Sequence, residues 1–178
     1  MIIKVRENLE LRTRRVEEAE EVFSVIEKNR AHLRTFMEWA DTCTLDDIKK
    51  KSEEWQKKFE DKSDIVLGIW FNNKYIGNMG LHDINRNNNS AIIGYWLAAD
   101  YQGQGIMTDC VRALTDYGFN ELDLNRVHLY CAFSNMKSRA IPERLGFVQE
   151  GILQDDECLY GVYHDKVVYG MVKRNWVK

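Results

Sequence analysis

A glycine-containing turn is the part of the sequence whose residue types best suit ligand binding. An apolar run, Tyr95–Leu97, leads through Gly103–Gly105 into an amphipathic run that begins at Ile106. Glycine lets the backbone approach a ligand closely and adopt positive φ angles. The amides at the start of a helix are free, and the helix dipole attracts anions there. The pattern is typical of a phosphate or pyrophosphate site, although a simple connecting turn has the same composition.

Two well-known nucleotide-binding patterns are disfavoured at this turn. A P-loop requires Gly-Lys-Ser/Thr, but Gly105 is followed by Ile106. A Rossmann fingerprint requires a third small residue where this sequence has Thr108, and the hairpin pattern upstream does not fit a βαβ unit. The sequence therefore argues against a nucleotide-binding protein of either type.

A second polar constellation lies further along the chain. Asn135 and Ser138 are spaced as Asn-x-x-Ser, and a helical pattern continues from them to Leu-Gly-Phe at 145–147. Taken alone, Asn135 is a helix N-cap and Ser138 a polar residue of the first turn. Pro142 falls inside the same short helical pattern, where it removes a backbone hydrogen bond and predicts a kink.

An acidic segment supplies candidate general bases. Residues 150–165 contain five carboxylate side chains and neither lysine nor arginine. The carboxylates are Glu150, Asp155, Asp156, Glu157 and Asp165. A carboxylate can remove a proton from a reacting group, and concentrated negative charge attracts a cationic substrate. The plain alternative is a solvated acidic loop.

The apolar periodicity predicts the elements that position these residues. It predicts strands at 8–13, 64–71, 75–81, 90–97, 126–133 and 166–172, with a hairpin turn at 72–74 and a polar loop at 83–89. Residues 16–37 are predicted to form one helix, or two helices broken near Asn29. A further helix is predicted to begin at a capping box formed by Thr44 and Asp47, and two more are predicted at 106–121 and 135–145. This order predicts an α+β, or mixed α/β, fold: one central, mostly antiparallel twisted sheet with helices on both faces, in a single domain spanning residues 1–178.

Composition excludes several classes of protein. The chain has 178 residues and a net charge of -3, which suits one domain and argues against a nucleic-acid partner. The start of the chain lacks an apolar signal core, and no run of about 18 uncharged apolar residues occurs, so we expect a cytoplasmic protein without a membrane partner. The four cysteines form no Cys-x-x-Cys pair and the histidines are scattered, so we expect free thiols and no metal site.

The strand, the glycine turn and the Asn-x-x-Ser segment together resemble the acetyl-CoA signature of the GNAT acetyltransferases. The family pattern Gln/Arg-x-x-Gly-x-Gly/Ala is matched at Gly103–Gly105, while its first position is Asp100 here. The resemblance implies a GNAT-like domain with acetyl-CoA as the acetyl donor, its pyrophosphate on the turn and its pantetheine arm along Tyr95–Leu97 and Asn135. The residues implied in binding it are Tyr95, Trp96, Leu97, Gln102, Gly103, Gln104, Gly105, Ile106, Met107, Thr108 and Asn135.

Three segments resemble one branch of that family, the ribosomal-protein N-terminal (Rim-type) acetyltransferases. They are residues 29–39 (NRAHLRTFMEW), 94–107 and 157–165 (ECLYGVYHD). The branch implies direct acetyl transfer to a primary amine, expected to be the N-terminal α-amino group of a ribosomal protein. Glu157 is then the expected general base, with His82 and His128 as runners-up, and Ser138 the acid that protonates the departing sulfur.

Two other functions stay open at this point. The acceptor could be a small amine such as a polyamine or an amino sugar, because the acidic segment fits that equally well. The chain could also be a CoA-binding module without catalysis, which would keep the glycine turn and Asn135 but not need Glu157 or Ser138. The family resemblance also suggests a homodimer or a larger homo-oligomer.

Overall fold

A single eight-stranded sheet organises the molecule, in a computed structural model that describes residues 1–176. The strands are β1 (Ile2–Arg6), β2 (Leu9–Arg12), β3 (Ile65–Phe71), β4 (Lys74–Asn85), β5 (Ser90–Leu97), β6 (Arg126–Ala132), β7 (Val148–Leu159) and β8 (Val162–Val172). The helices are α1 (Ala19–Leu33), α2 (Trp39–Thr42), α3 (Leu45–Asp61), α4 (Ile106–Asn120) and α5 (Met136–Arg144). Short 3-10 turns occur at Val16–Glu18, Ala99–Tyr101 and Lys173–Asn175.

The strand order across the sheet is β1-β2-β3-β4-β5-β6-β8-β7. All neighbours are antiparallel except β5 and β6, which run parallel. Helices cover both faces because each face carries its own apolar cluster. Residues of α1 and α3 pack with Trp70, Tyr75 and Trp96 on one face, while α4 packs on the other against residues such as Leu67 and Val127. The predicted mixed, mostly antiparallel fold is confirmed.

Local signals account for most of the helix boundaries. The Thr44 hydroxyl accepts the Asp47 amide at 3.2 Å and the Asp47 carboxylate accepts the Thr44 amide at 2.9 Å, so the predicted capping box begins α3. The first helix is not broken near Asn29. The Asn29 side-chain amide donates to the Val25 carbonyl one turn earlier, which leaves the helical backbone bonds intact, and α1 continues to Leu33.

Three stretches differ from the sequence prediction. β1, which was not predicted, forms from a charged segment because it needs only one partner, β2, at the edge of the sheet. The polar loop at 83–89 is shorter than predicted, since β4 extends to Asn85. The strand predicted at 166–172 is longer than predicted, since β8 begins at Val162, and it pairs with the acidic segment, which forms the mostly exposed strand β7.

Candidate active site

A cleft opens between β5 and β6, at the centre of the sheet. These strands pair only from Ser90–Ile92 to Arg126–His128. Beyond that point β5 continues to pair with β4 as far as Leu97, and β6 with β8 as far as Ala132. The backbone groups that line the cleft therefore have no strand partner, and an extended ligand with amide groups could satisfy them.

Tyr95, Trp96 and Leu97 lie on the β5 side of this cleft. The side chains of Trp96 and Leu97 are both 8% exposed and belong to the core, so these two residues can offer a ligand only their backbone. The Tyr95 side chain is half-buried and reaches α5, as described below. The predicted contact with a pantetheine arm is therefore geometrically available along the unpaired part of β5.

The phosphate turn, residues Gln102–Thr108, directly follows β5. Gly103 and Gly105 both have φ of 74°, and a Cβ at either position would meet nothing within 4 Å, so space is open above them. Asp109 makes the first backbone bond of α4, to the Gly105 carbonyl, which leaves the amides at 106–108 without helical partners. Glycine at positive φ followed by three free amides fits a bound pyrophosphate.

The remaining predicted residues of the phosphate turn divide into backbone and side-chain contributors. Ile106 and Met107 are buried in the core and can offer only their amides. The buried Thr108 hydroxyl accepts a hydrogen bond from Arg144 at 2.7 Å, which joins α4 to α5. Gln104 donates to the Asp100 carbonyl at 3.1 Å, which closes the turn on itself.

Helix α1 holds the phosphate turn in place through three polar contacts. The side-chain oxygen of Asn29 (Oδ1) accepts a hydrogen bond from the Ala99 backbone amide at 2.8 Å. The His32 ring lies 2.8 Å from the Gln102 side-chain amide. Lys28 forms an ion pair with Asp100 at 3.1 Å, which gives the residue at the unusual first position of the signature a structural partner. The family resemblance of 29–39 did not reveal this role, although Asn29 and His32 share a helix face at i, i+3 spacing.

A cationic rim surrounds the phosphate turn, and sequence analysis did not identify it. Arg6, from β1, bonds Asp109 at 2.7 Å and approaches the Gln104 carbonyl at 3.4 Å. Lys137, from the first turn of α5, donates to Gln102 at 3.2 Å. Lys28 completes the rim from α1. Arg6 and Lys28 are each paired with an aspartate, whereas Lys137 contacts the uncharged Gln102, so Lys137 contributes most to the attraction of an anionic ligand.

Three hydrogen-bonding side chains meet beside the cleft, on the face covered by α4 and α5. The Ser138 hydroxyl lies 3.2 Å from the Tyr95 hydroxyl and 3.3 Å from the Cys131 thiol. Burial raises the pKa of both the Tyr95 phenol and the Cys131 thiol, so both groups stay protonated at neutral pH. Asn135 acts as the helix N-cap, its side-chain oxygen accepting the Ser138 amide at 3.1 Å.

Pro142 explains how Tyr95 reaches this cluster. In a regular helix, the carbonyl of Ser138 would accept the amide of the residue four positions later. That residue is Pro142, which has no amide hydrogen. The Ser138 carbonyl instead accepts the Tyr95 hydroxyl at 3.2 Å, so the proline frees an acceptor inside α5 that ties β5 to Ser138.

Glu157 lies on the opposite face of the sheet from Ser138. Its pairing with His164 places it on the same face as Lys166, and Lys166 pairs with Ala132 at the end of β6. Its carboxylate is 26% exposed and lies 3.4 Å from the Lys166 ammonium, but it shares no hydrogen bond with Ser138. Glu157 is on the edge strand β7, and β8 lies between β7 and β6, so the two residues flank the β6 side of the cleft from opposite faces of the sheet.

A bulge in β7 sets the position of Glu157. Leu153 pairs with Lys166 and Glu157 with His164, so β7 carries two extra residues between these points. Asp155 adopts a positive φ of 51° inside the bulge, and its amide donates to the Asp165 carboxylate at 3.0 Å. Bulges commonly redirect side chains next to functional sites, and Asp165 fixes this one.

The two histidines considered as runner-up bases lie where the cleft begins. His82 and His128 both pair with Ile92, the last residue of β5 that bonds β6. Burial and the nearby Arg126 cation lower the pKa of His128, whose Nδ1 accepts a hydrogen bond from Arg126 at 3.0 Å. His82 lies 3.7 Å from the Asp64 carboxylate. Both histidines lie on interior strands, β4 and β6, whereas Glu157 lies on the edge strand β7.

Within residues 1–176, no cluster of three or more metal-ligating side chains occurs. Across the same residues, no helix is both long and apolar enough to span a membrane. A cavity of about 400 Å³ lies between α3 and β3, away from the cleft, and is lined by residues such as Arg14, Trp55 and Phe59. A cavity of about 280 Å³, lined by Phe133, Ser134 and the first residues of β8, adjoins the end of β6.

Comparison with known proteins shows similarity in both sequence and fold. Residues 8–148 match the family model of the acetyltransferase (GNAT) domain. The chain is 35% identical to the putative ribosomal N-acetyltransferase YdaF of Bacillus subtilis (strain 168), over 97% of this chain and 96% of that protein.

Two solved structures have the same fold and carry related ligands. The microcin C7 self-immunity acetyltransferase MccE, in complex with acetyl-CoA and AMP, is 30% identical with a TM-score of 0.90, over 95% of this chain and 94% of that one. The ribosomal alpha-N-protein acetyltransferase RimL, in complex with coenzyme A, is 28% identical with a TM-score of 0.93, over 97% of this chain and 98% of that one.

Proposed function

We propose that this chain, which belongs to the GNAT family of acetyltransferases, acetylates the N-terminal α-amino group of a ribosomal protein. Family membership makes it an acetyl-CoA-dependent acyltransferase. The observation that carries the proposal is that Glu157 and Ser138 lie on opposite faces of the sheet, with Ser138 bonded to Tyr95 beside the open cleft. A base on one face and an acid on the other suit direct transfer between two substrates that enter from opposite sides.

The donor side is assigned to backbone and cap groups. Acetyl-CoA supplies a thioester, which is an activated acetyl group. In this proposal the amides at 106–108 bind its pyrophosphate, the unpaired edge of Tyr95–Leu97 and the Asn135 side chain hold its pantetheine arm, and the cationic rim of Arg6, Lys28 and Lys137 balances its charge. A backbone amide between Tyr95 and Leu97 stabilises the negative charge that develops on the carbonyl oxygen.

The proton transfers are assigned to Glu157 and Ser138. Glu157 removes the proton from the acceptor amine, and the Ser138 hydroxyl donates its proton to the departing sulfur. Tyr95, which is protonated and 3.2 Å away, can return a proton to Ser138. The acetyl group goes directly from sulfur to nitrogen, so Cys131 is needed only as a packing and hydrogen-bonding neighbour.

We assign the acceptor from the basicity of the candidate amines and from the ribosomal-acetyltransferase branch of the family. An α-amino group has a pKa of about 7.7–8.0, so a carboxylate base can deprotonate it more readily than a lysine amine near 10.4. The relatives named as ribosomal acetyltransferases favour a ribosomal protein as the source of that amine. Such an acceptor would place the activity in the cytoplasm, in a chain that acts as one domain over residues 1–178.

Acetylation of defined peptides tests the proposal. Synthetic peptides with the N-terminal sequences of ribosomal proteins are incubated with the protein and acetyl-CoA, and fragment-ion mass spectrometry locates the acetyl group. We expect modification of the α-nitrogen and none on matched peptides whose N-terminus is formylated but which keep a lysine. Acetylation of the formylated peptides at lysine, or turnover with polyamines or amino sugars alone, would contradict the assignment. Binding of acetyl-CoA without turnover on any amine would indicate a non-catalytic module.

The assembly state belongs to the same proposal. We assign the chain as a homodimer or a larger homo-oligomer because several large apolar side chains stay exposed on the β7–β8 hairpin. Tyr163 is 65% exposed, Val148 59% and Val162 57%. Sedimentation velocity of the wild type and of Tyr163→Glu tests this, and a wild-type protein that sediments as a monomer at micromolar concentration would refute it.

A further inference from the structure

A positive charge, that of Lys166, lies beside the acidic residues proposed to face the acceptor. We infer that Lys166 determines specificity, making the site favour weakly basic α-amines over polyamines and lysine side chains. This inference deepens the proposed function and depends on Glu157 being the base. Residues 150–165 carry no cation, but Lys166 is the next residue along the chain, and β8 brings it back to the acidic strand β7.

Lys166 lies between the two carboxylates nearest the cleft. Its ammonium is 3.4 Å from Glu157 and 3.6 Å from Asp156, and its side chain is only 23% exposed. Its Cα pairs with Ala132, the last residue of β6, at the open end of the cleft. The ammonium therefore lies beside Glu157, where a second cation that reaches this carboxylate would meet a like charge.

The fold fixes the backbone of Lys166. β8 is an interior strand, so Lys166 is held by Ala132 on one side and by Leu153 on the other. The neighbouring Asp165 accepts the Asp155 amide and fixes the bulge that carries Asp156 and Glu157. Lys166 and its carboxylate partners are therefore positioned by the same backbone contacts.

The charges around this point come from β7 and from β8 itself. On β7 they are Asp156 and Glu157, on β8 they are His164 and Lys166 itself, and the facing residue of β6 is the uncharged Ala132. Without Lys166, two carboxylates would face the acceptor and attract a polycation. With it, the net charge of the three groups is reduced from -2 to -1, and a multiply charged amine also meets a like charge beside the base.

Amine basicity turns this charge balance into selectivity. At pH 7 roughly a tenth of α-amino groups are neutral, compared with fewer than about one in a thousand lysine-like amines. A weakly basic amine can approach Glu157 uncharged and needs no electrostatic attraction. A polyamine approaches as a polycation, so Lys166 opposes its binding. Lys166 thus selects by acceptor charge without contacting the acetyl donor.

Competition between a peptide amine and spermidine tests the inference. The ratio of kcat/KM for a ribosomal-protein N-terminal peptide to that for spermidine is measured for wild type, Lys166→Met, Lys166→Gln and the charge-preserving control Lys166→Arg. We expect the methionine and glutamine variants to shift the ratio about tenfold or more toward spermidine, chiefly by lowering the spermidine KM. The arginine variant should retain the wild-type ratio. Thermal melts show which variants are folded, and the two neutral variants differ enough in shape for one to serve if the other unfolds.

The outcomes separate this inference from the proposed function. If wild type acetylates the peptide but the folded neutral variants keep the wild-type ratio within about twofold, Lys166 does not determine specificity and the proposed function stands. If wild type acetylates spermidine but no peptide α-amine, both proposals are refuted. An arginine variant that shifts as far as methionine would assign the effect to side-chain shape and also refute the charge argument.

Discussion

At the phosphate turn the groups that face the ligand are backbone amides, whereas at the β7–β8 hairpin they are the side chains of Glu157, Asp156 and Lys166. The turn is held by contacts from α1, β1 and α5. The hairpin contacts are fewer and half-exposed, and they depend on a bulge in an edge strand. In the proposed function, the first region binds a shape common to all CoA donors, and the second selects an acceptor by its charge.

This contrast predicts that substitution of Gly105 has the largest effect on donor binding. Gly105→Glu places a side chain and a negative charge where φ is 74° and where the phosphates would lie. We expect calorimetric affinity for CoA to fall by more than about 100-fold, because both strain and repulsion act there. Gly161→Glu is a matched control, since Gly161 has φ of 79° and open space at the hairpin tip. Equal loss of CoA affinity in both variants would contradict a phosphate site.

Substitution of the acidic residue on β7 should affect turnover and leave donor binding unchanged. We expect Glu157→Gln to lower kcat by about 100- to 10,000-fold, as for loss of a general base, with CoA affinity unaltered. Asp156→Asn is the control, because this neighbouring carboxylate contacts the same lysine. A Glu157→Gln enzyme that turns over at the wild-type rate would transfer the role of base elsewhere, with His128 the next residue to test.

Pro142→Ala should make α5 more stable and the enzyme less active. The new amide can bond the Ser138 carbonyl and displace the Tyr95 hydroxyl, which now lies 3.2 Å from it. We expect the melting temperature to rise, since an interior proline costs a helix about 3 kcal/mol, while kcat falls several-fold. Tyr95→Phe should reproduce the loss of kcat without the gain in stability. Unchanged kcat in both variants would show that the tyrosine contact does not serve catalysis.

The smallest expected effect comes from the contact between α1 and the phosphate turn. Asn29→Ala removes the acceptor of the Ala99 amide and leaves that amide unpaired, at a cost of about 1–3 kcal/mol. We expect a rise of several-fold in the KM for acetyl-CoA with little change in kcat. Lys28→Ala, which removes only an exposed ion pair, should have less effect. A change in kcat with constant KM would show that α1 acts on the acceptor side instead.

The two regions also differ in how much of them could be predicted from sequence. Glycine at 103 and 105 is required by the backbone itself, so the phosphate turn could be located from residue types alone. The mixed fold followed in the same way from apolar periodicity. The environment of Glu157 depends on strand register, and a bulge that inserts two residues has no signature in composition. Lys166 was missed for the same reason, because strand pairing brings it beside Glu157 from outside the recognised motifs. Tyr95 was predicted to contact the pantetheine arm, but its hydrogen bond to Ser138 was not predicted.

The three-residue contact between β5 and β6 has a consequence for the stability of the whole protein. Strands β1–β5 and β6–β8 form two half-sheets whose direct hydrogen-bonded join is this short parallel rung. An extended donor lying in the cleft acts as a missing strand and spans the seam between the halves. Binding to the folded chain alone raises the free energy of unfolding with ligand concentration. If the donor binds in this cleft, the free energy of unfolding should therefore rise with the concentration of acetyl-CoA, because the donor joins the two half-sheets across this seam.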